Sequence, residues 1–156
     1  MSETTSNLPL NCDIQQYSVL ALHAVKCKPS GKEVLEVAPD IKIVTGKPEF
    51  QVLIVCTRNI GDFSFQCAIE GSFVFHEPIS ANNVLNAWVN GCTILYGIAR
   101  NLFSVSAMQC VHKDLMLPAV MMIDVIKRTI DDLRKKQEAK VETAQDTQSS
   151  SLVKTK

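Results

Sequence analysis

The sequence predicts an α+β fold: a four-stranded antiparallel sheet followed by two helices. Three observations carry this. Apolar residues alternate with period two from about residue 13 to residue 77, Gly- and Pro-bearing turns cut that stretch into four pieces, and after residue 80 the apolar spacing changes to three and four. At 156 residues and 46% hydrophobic content, the chain suits one domain with a real core. The reading divides it into a flexible N-terminus at 1–11, a folded domain at 12–136 and a polar tail at 137–156. The tail is rich in Ser, Thr and Gln, and its composition predicts disorder.

The first strand is read in "DIQQYSVLALHAVKC", residues 13–27. Tyr17, Val19, Ala21, His23 and Val25 alternate with Ser18, Leu20, Leu22 and Ala24, so both faces are apolar and the expectation is a long, mostly buried strand. "KPSGK" carries turn residues, and "EVLEVAPD" reads as a linker exposing Val34, Leu35 and Val37. "DIKIVT" is a short second strand, "GKP" a turn, and "EFQVLIVCTRN" a third strand. "NIGD" is a tight connection in which Gly61 can take positive φ. The fourth strand, "FSFQCAIEGSFVF", holds Phe63, Phe65, Phe73 and Phe75 on odd positions with Cys67 and Ile69, which assigns that face to the core. Short links between the strands predict an antiparallel meander.

Ser80 can cap the first helix. From there Val84, Leu85, Trp88, Cys92, Leu95, Ile98, Leu102 and Phe103 form an amphipathic stripe. Gly91 and Gly97 inside it point to a kink or a close approach. Pro118 sits where a first-turn proline would, ahead of a second stripe of Val120, Met122, Val125, Ile126, Ile130 and Leu133.

Composition excludes several functions. Sixteen basic and sixteen acidic residues cancel, which argues against nucleic-acid binding by counterion release and against a polybasic membrane anchor. The Phe-rich strand could suggest base stacking, yet residues 59–79 hold no Lys or Arg and do hold Asp62, Glu70 and Glu77. No apolar stretch of ~18 residues and no signal-peptide pattern occur, so a cytoplasmic location without membrane insertion is expected. The six cysteines show no CxxC and no cluster, so they read as reduced, buried thiols. GxGxxG, P-loop, HExxH and GxSxG motifs are absent. Cys110 and His112 stand near each other, but a nucleophile and its base usually come from separate parts of a fold. No catalytic residue, cofactor or metal site is therefore assigned. Arg58 and Arg100 interrupt apolar elements and read as members of structural ion pairs.

Three short patterns occur in a set order: Glu70, Gly71 and Phe73; then Gly91, Ile94, Leu95, Tyr96, Ala99 and Arg100; then Leu115, Leu117 and Pro118. Together, across roughly residues 14–133, they resemble the SecB export-chaperone family, with Gly97 where a proline is usual. The resemblance implies an ATP-independent holdase that binds unfolded or precursor polypeptides and passes them to the SecA translocase motor. It also implies a homotetramer built as a dimer of dimers. Carried onto this chain, its client groove falls to Val34, Leu35 and Val37 with Met121, Met122, Val125 and Ile126; for the two methionines, ordinary helix core is the alternative. Trp88, Leu95 and Ile98 are the candidates for oligomer contact, and Asp62, Glu70 and Glu77 for an acidic docking patch. Divergent family members serve as dedicated chaperones of an antitoxin, and that role stays open. So does a structural subunit whose apolar surfaces are filled by its own oligomer.

Overall fold

The computed structural model describes residues 12–26, 33–109 and 117–151. Four strands, β1 (Cys12–Lys26), β2 (Val34–Ile43), β3 (Glu49–Ile60) and β4 (Phe63–Phe75), are followed by helices α1 (Val84–Gln109) and α2 (Met122–Ser151). The strands form one antiparallel sheet in the order β1-β4-β3-β2. β2, β3 and β4 are the expected meander. β1 is not its fourth neighbour in line but pairs with β4 at the far edge, which gives a Greek-key order.

The β3–β4 hairpin closes on the pair Ile60 and Phe63, with Gly61 at φ 58 where a side chain would be disfavoured. At the other end of the sheet, Ile79 is bonded to the 44–48 turn: its N–H donates to the Lys47 carbonyl and its own carbonyl accepts from Gly46. Alternation then sorts the side chains. Phe50, Val52, Ile54 and Cys56 of β3 and Phe65, Cys67, Ile69, Phe73 and Phe75 of β4 are buried under the helices, while Phe63 is half-buried. Phe50 stacks on Phe73 with centroids 5.2 Å apart. The aromatic face of β4 is therefore the molecule's own core.

Helix α1 lies on this face through Ala87, Gly91, Cys92, Leu95, Tyr96, Ala99 and Phe103. The helix opens at Asn83 and not at the predicted Ser80: the Asn83 carbonyl accepts from Ala87 N–H, while the Ser80 carbonyl accepts from Val84 N–H and the Asn83 side chain reaches back to accept from Ser80 N–H. A Cβ at Gly91 would stand 2.7 Å from a Val52 methyl, and one at Gly71 would stand 2.9 Å from a Leu95 methyl. Gly97 faces open space. The two helical glycines thus differ: Gly91 permits contact with the sheet, and Gly97 permits nothing that alanine would prevent.

Three expectations are corrected. Residues 33–40 are not a linker: β2 is one strand of ten residues paired with β3 from Val34↔Asn59 to Ile43↔Phe50. β1 is not buried; Ile14, Tyr17, Val19, Leu20, Leu22 and Val25 are all exposed, and so is His23. Helix α2 does not stop near residue 136 but runs to Ser151. Its polar segment mixes Gln, Glu and Ala, which favour helix without any apolar stripe, with Ser and Thr. Cys12, Cys56, Cys67 and Cys92 are buried free thiols. Cys27, Cys110, His112 and Leu115 lie outside the described residues.

The glycine contrast is testable by denaturant unfolding. Gly97→Ala should raise stability by about 1 kcal/mol through helix propensity. Gly91→Ala should instead lower it by about 1 kcal/mol net, because overpacking costs about 1–3 kcal/mol and outweighs the same gain.

Candidate functional site

An open groove of about 590 Å³ runs between β2 and α2. β2 contributes Leu35 to Pro39, and α2 with the residues before it contributes Val120, Met121, Val125, Thr129 and Leu133, rimmed by Asp124, Arg128, Asp132 and Lys136. Leu35 and Val37 are half-buried because odd β2 positions turn toward the helix layer; their partners Arg58 and Cys56 are on the inner face of β3. Met121 is 70% exposed and Leu133 51%. The four charges on α2 alternate in sign at four-residue steps, so they nearly cancel and leave no strong field across the groove.

The sequence-derived residues separate on this geometry. Leu35, Val37, Met121 and Val125 come together in the groove. Val34 turns to the opposite face of the sheet, beside Asn59. Met122 and Ile126 are buried in the core, 4% and 0% exposed, one helical turn apart and facing the sheet. One position in helix phase therefore divides Met121 from Met122. Val120, Pro39, Thr129 and Leu133 line the groove as well and were not assigned to it from sequence. Continuing from Met121 and Val125 in steps of four would have reached Thr129 and Leu133.

A latch holds α2 in place to form the groove. Tyr96 Oη donates to the Pro118 carbonyl at 2.8 Å, and Arg100 Nε donates to the Leu117 carbonyl at 3.0 Å. Arg100 therefore serves a backbone oxygen where sequence reading expects an ion pair. Leu117 is buried below these bonds. Burial pushes the Tyr96 phenol up to about 12, so it stays a donor. Arg58, mostly buried, pairs with the exposed Glu33 at 3.7 Å. Burial likewise pushes the Cys56 and Cys92 thiols up to about 12, which leaves them packing groups without nucleophilic character.

The other candidates lie elsewhere. Leu95 is fully buried under α1 against the sheet, so it belongs to the protomer's core and not to an outer contact. Trp88 and Ile98 are half-buried. Asp62 sits in the β3–β4 turn and pairs with Lys26 at 3.6 Å, Glu70 is on the outer face of β4, and Glu77 follows the far end of that strand. Asp62 and Glu77 are thus separated by the whole length of β4, about 40 Å at the usual rise. Among the described residues, no His, Cys, Asp and Glu grouping could hold a metal. No described helix is long and apolar enough to cross a membrane.

Fold and site together define a SecB-like α+β architecture with an open groove of apolar side chains between charged rims. Among solved structures, the chain is similar to a SecB-like chaperone of Mycobacterium tuberculosis, Rv1957, determined with a ChAD peptide from the HigA1 antitoxin. The match has a TM-score of 0.56 at 17% identity and covers 70% of this chain and 91% of that one. No family model matches the sequence, and no curated protein matches it.

The latch yields a direct test. Tyr96→Phe removes one donor to a helix-entry carbonyl and should lower stability by about 1 kcal/mol. Hydrogen exchange in the first turns of α2 should quicken while exchange in β3 and β4 stays unchanged.

Proposed function

We propose that this protein is an ATP-independent polypeptide-binding chaperone, a holdase for unfolded or precursor chains. The observation that carries this reading is the β2–α2 groove: open to solvent, nearly neutral, with apolar side chains between charged rims and the exposed Met121 among them. Thioether side chains adapt to varied partners, which suits a site that accepts many sequences. The fold neighbour carries a bound peptide, and this supports a polypeptide occupant. Handover to an export motor such as SecA is the main form of the proposal. A dedicated role toward an antitoxin is the second reading, favoured by the antitoxin origin of that peptide.

The protein also assembles with itself in this reading, as a dimer of dimers. β1 supports it: Ile14, Tyr17, Val19 and Leu22 lie on the helix side of the sheet opposite Phe73, Gly71, Ile69 and Cys67, yet each is at least 37% exposed. A second copy would cover this face, and a free sheet edge with few charges is well suited to such pairing. Trp88 and Ile98 remain candidates for helix-mediated contact within the assembly.

Two measurements check these readings. The intact protein should suppress aggregation of an unrelated denatured protein without ATP, and Met121→Asp with Val125→Asp should weaken client affinity about a hundredfold, as expected for removing two apolar contacts at about 1.4 kcal/mol each. Unchanged suppression by that variant would sink the groove. Tyr17→Glu with Leu22→Glu should reduce the mass seen by light scattering to a smaller assembly while the circular dichroism of the fold is kept.

A further inference from the structure

The backbone of β2 says how the groove's occupant is held, on the premise that the groove binds polypeptide. The hairpin pair Ile60 and Phe63 flanks a two-residue loop, so it is hydrogen-bonded, and bonded pairs alternate along the ladder. Even-numbered residues of β3 therefore bond to β4, and its odd-numbered residues bond to β2. Their β2 partners are even: Val34, Glu36, Ala38, Asp40 and Lys42. Odd β2 residues then turn their N–H and C=O groups to the free edge. Two independent features agree with this phase. Pro39, which has no N–H, is odd. Ile41 N–H, also odd, donates to the side chain of its neighbour, Asp40 Oδ1, at 2.9 Å.

These two features also close part of the edge. Pro39 offers no donor, and the Ile41 donor is taken by Asp40. The N–H groups of Leu35 and Val37 remain, with the carbonyls of Leu35, Val37 and Pro39. This open segment coincides with the part of β2 that lines the groove. On the outer face beside it stand Glu36 and Asp40, both exposed. A second copy pairing here would bring these carboxylates onto one shared face, which like-charge repulsion opposes. A strand with basic residues on that face would complement Glu36.

We propose that the groove takes a short extended polypeptide segment, added as a strand to β2 between Leu35 and Pro39, with apolar residues turned into the groove and basic residues on the outer face against Glu36. Backbone pairing provides affinity for any sequence, and the alternation of apolar and basic residues provides preference.

The test uses the full-length chain and a fluorescein-labelled synthetic peptide of alternating valine and lysine, followed by fluorescence anisotropy. Each peptide nitrogen is N-methylated in turn. Strand addition predicts about tenfold loss at alternate nitrogens within one short stretch, from a lost hydrogen bond and the steric cost of the methyl group, and small changes between them. Uniform tolerance of methylation, with the parent peptide still bound, overturns strand addition and leaves the groove reading intact. Glu36→Lys should weaken the valine–lysine peptide about tenfold and strengthen its valine–glutamate counterpart; an unchanged preference overturns the charge assignment. If neither peptide binds, the groove reading itself fails, and the proposal falls with it.

Discussion

Close contact between α1 and the sheet is the constraint on which the other arrangements depend. Glycine at position 91 lets the helix backbone settle against Val52 and Phe50, and glycine at 71 leaves room in the sheet for Leu95 and the Phe73 ring. With the helix at that depth, Leu95, Tyr96, Ala99 and Phe103 reach the inner face and exclude water from it. Tyr96 and Arg100 are then within reach of the segment that leads into α2. That segment sets where α2 crosses β2, and the crossing leaves the groove. A bulkier residue at 91 would lift α1 and carry the latch with it.

Much of this order was legible, and the misreadings have physical causes. The aromatic face of β4 and the stripe on α1 could be read because each buries one side against the other, which is the situation that periodicity records. β1 failed because two apolar faces normally mean burial within a chain, and here the strand lies at a sheet edge that the helices leave largely uncovered. Pro39 and the charges around it made β2 look like a linker, although an edge strand tolerates both. In α2, Met121 and Met122 carry the same chemistry. Only the position of the sheet determines which of them faces the core, and no local pattern encodes that position.

The two edges of the sheet are built differently. β1 has fifteen residues with charges confined to Asp13, near one end, and Lys26, at the other, and it has no proline. β2 has Glu36, Asp40 and Lys42, a proline, and a side chain bonded to one of its own outward N–H groups. An unguarded edge joins readily to a long partner strand, and a guarded edge admits only a short one. The two edges of the same sheet thus differ in how readily each would accept another strand.

The latch at the entry to α2 has a further consequence. Both of its acceptors are main-chain carbonyls, at Leu117 and Pro118, and every amino acid supplies such an oxygen. Substitutions at the nearby positions Val120 and Met121 therefore leave the anchoring bonds in place. Over evolutionary time, the lining of the groove is free to drift while the helix that presents it keeps its footing.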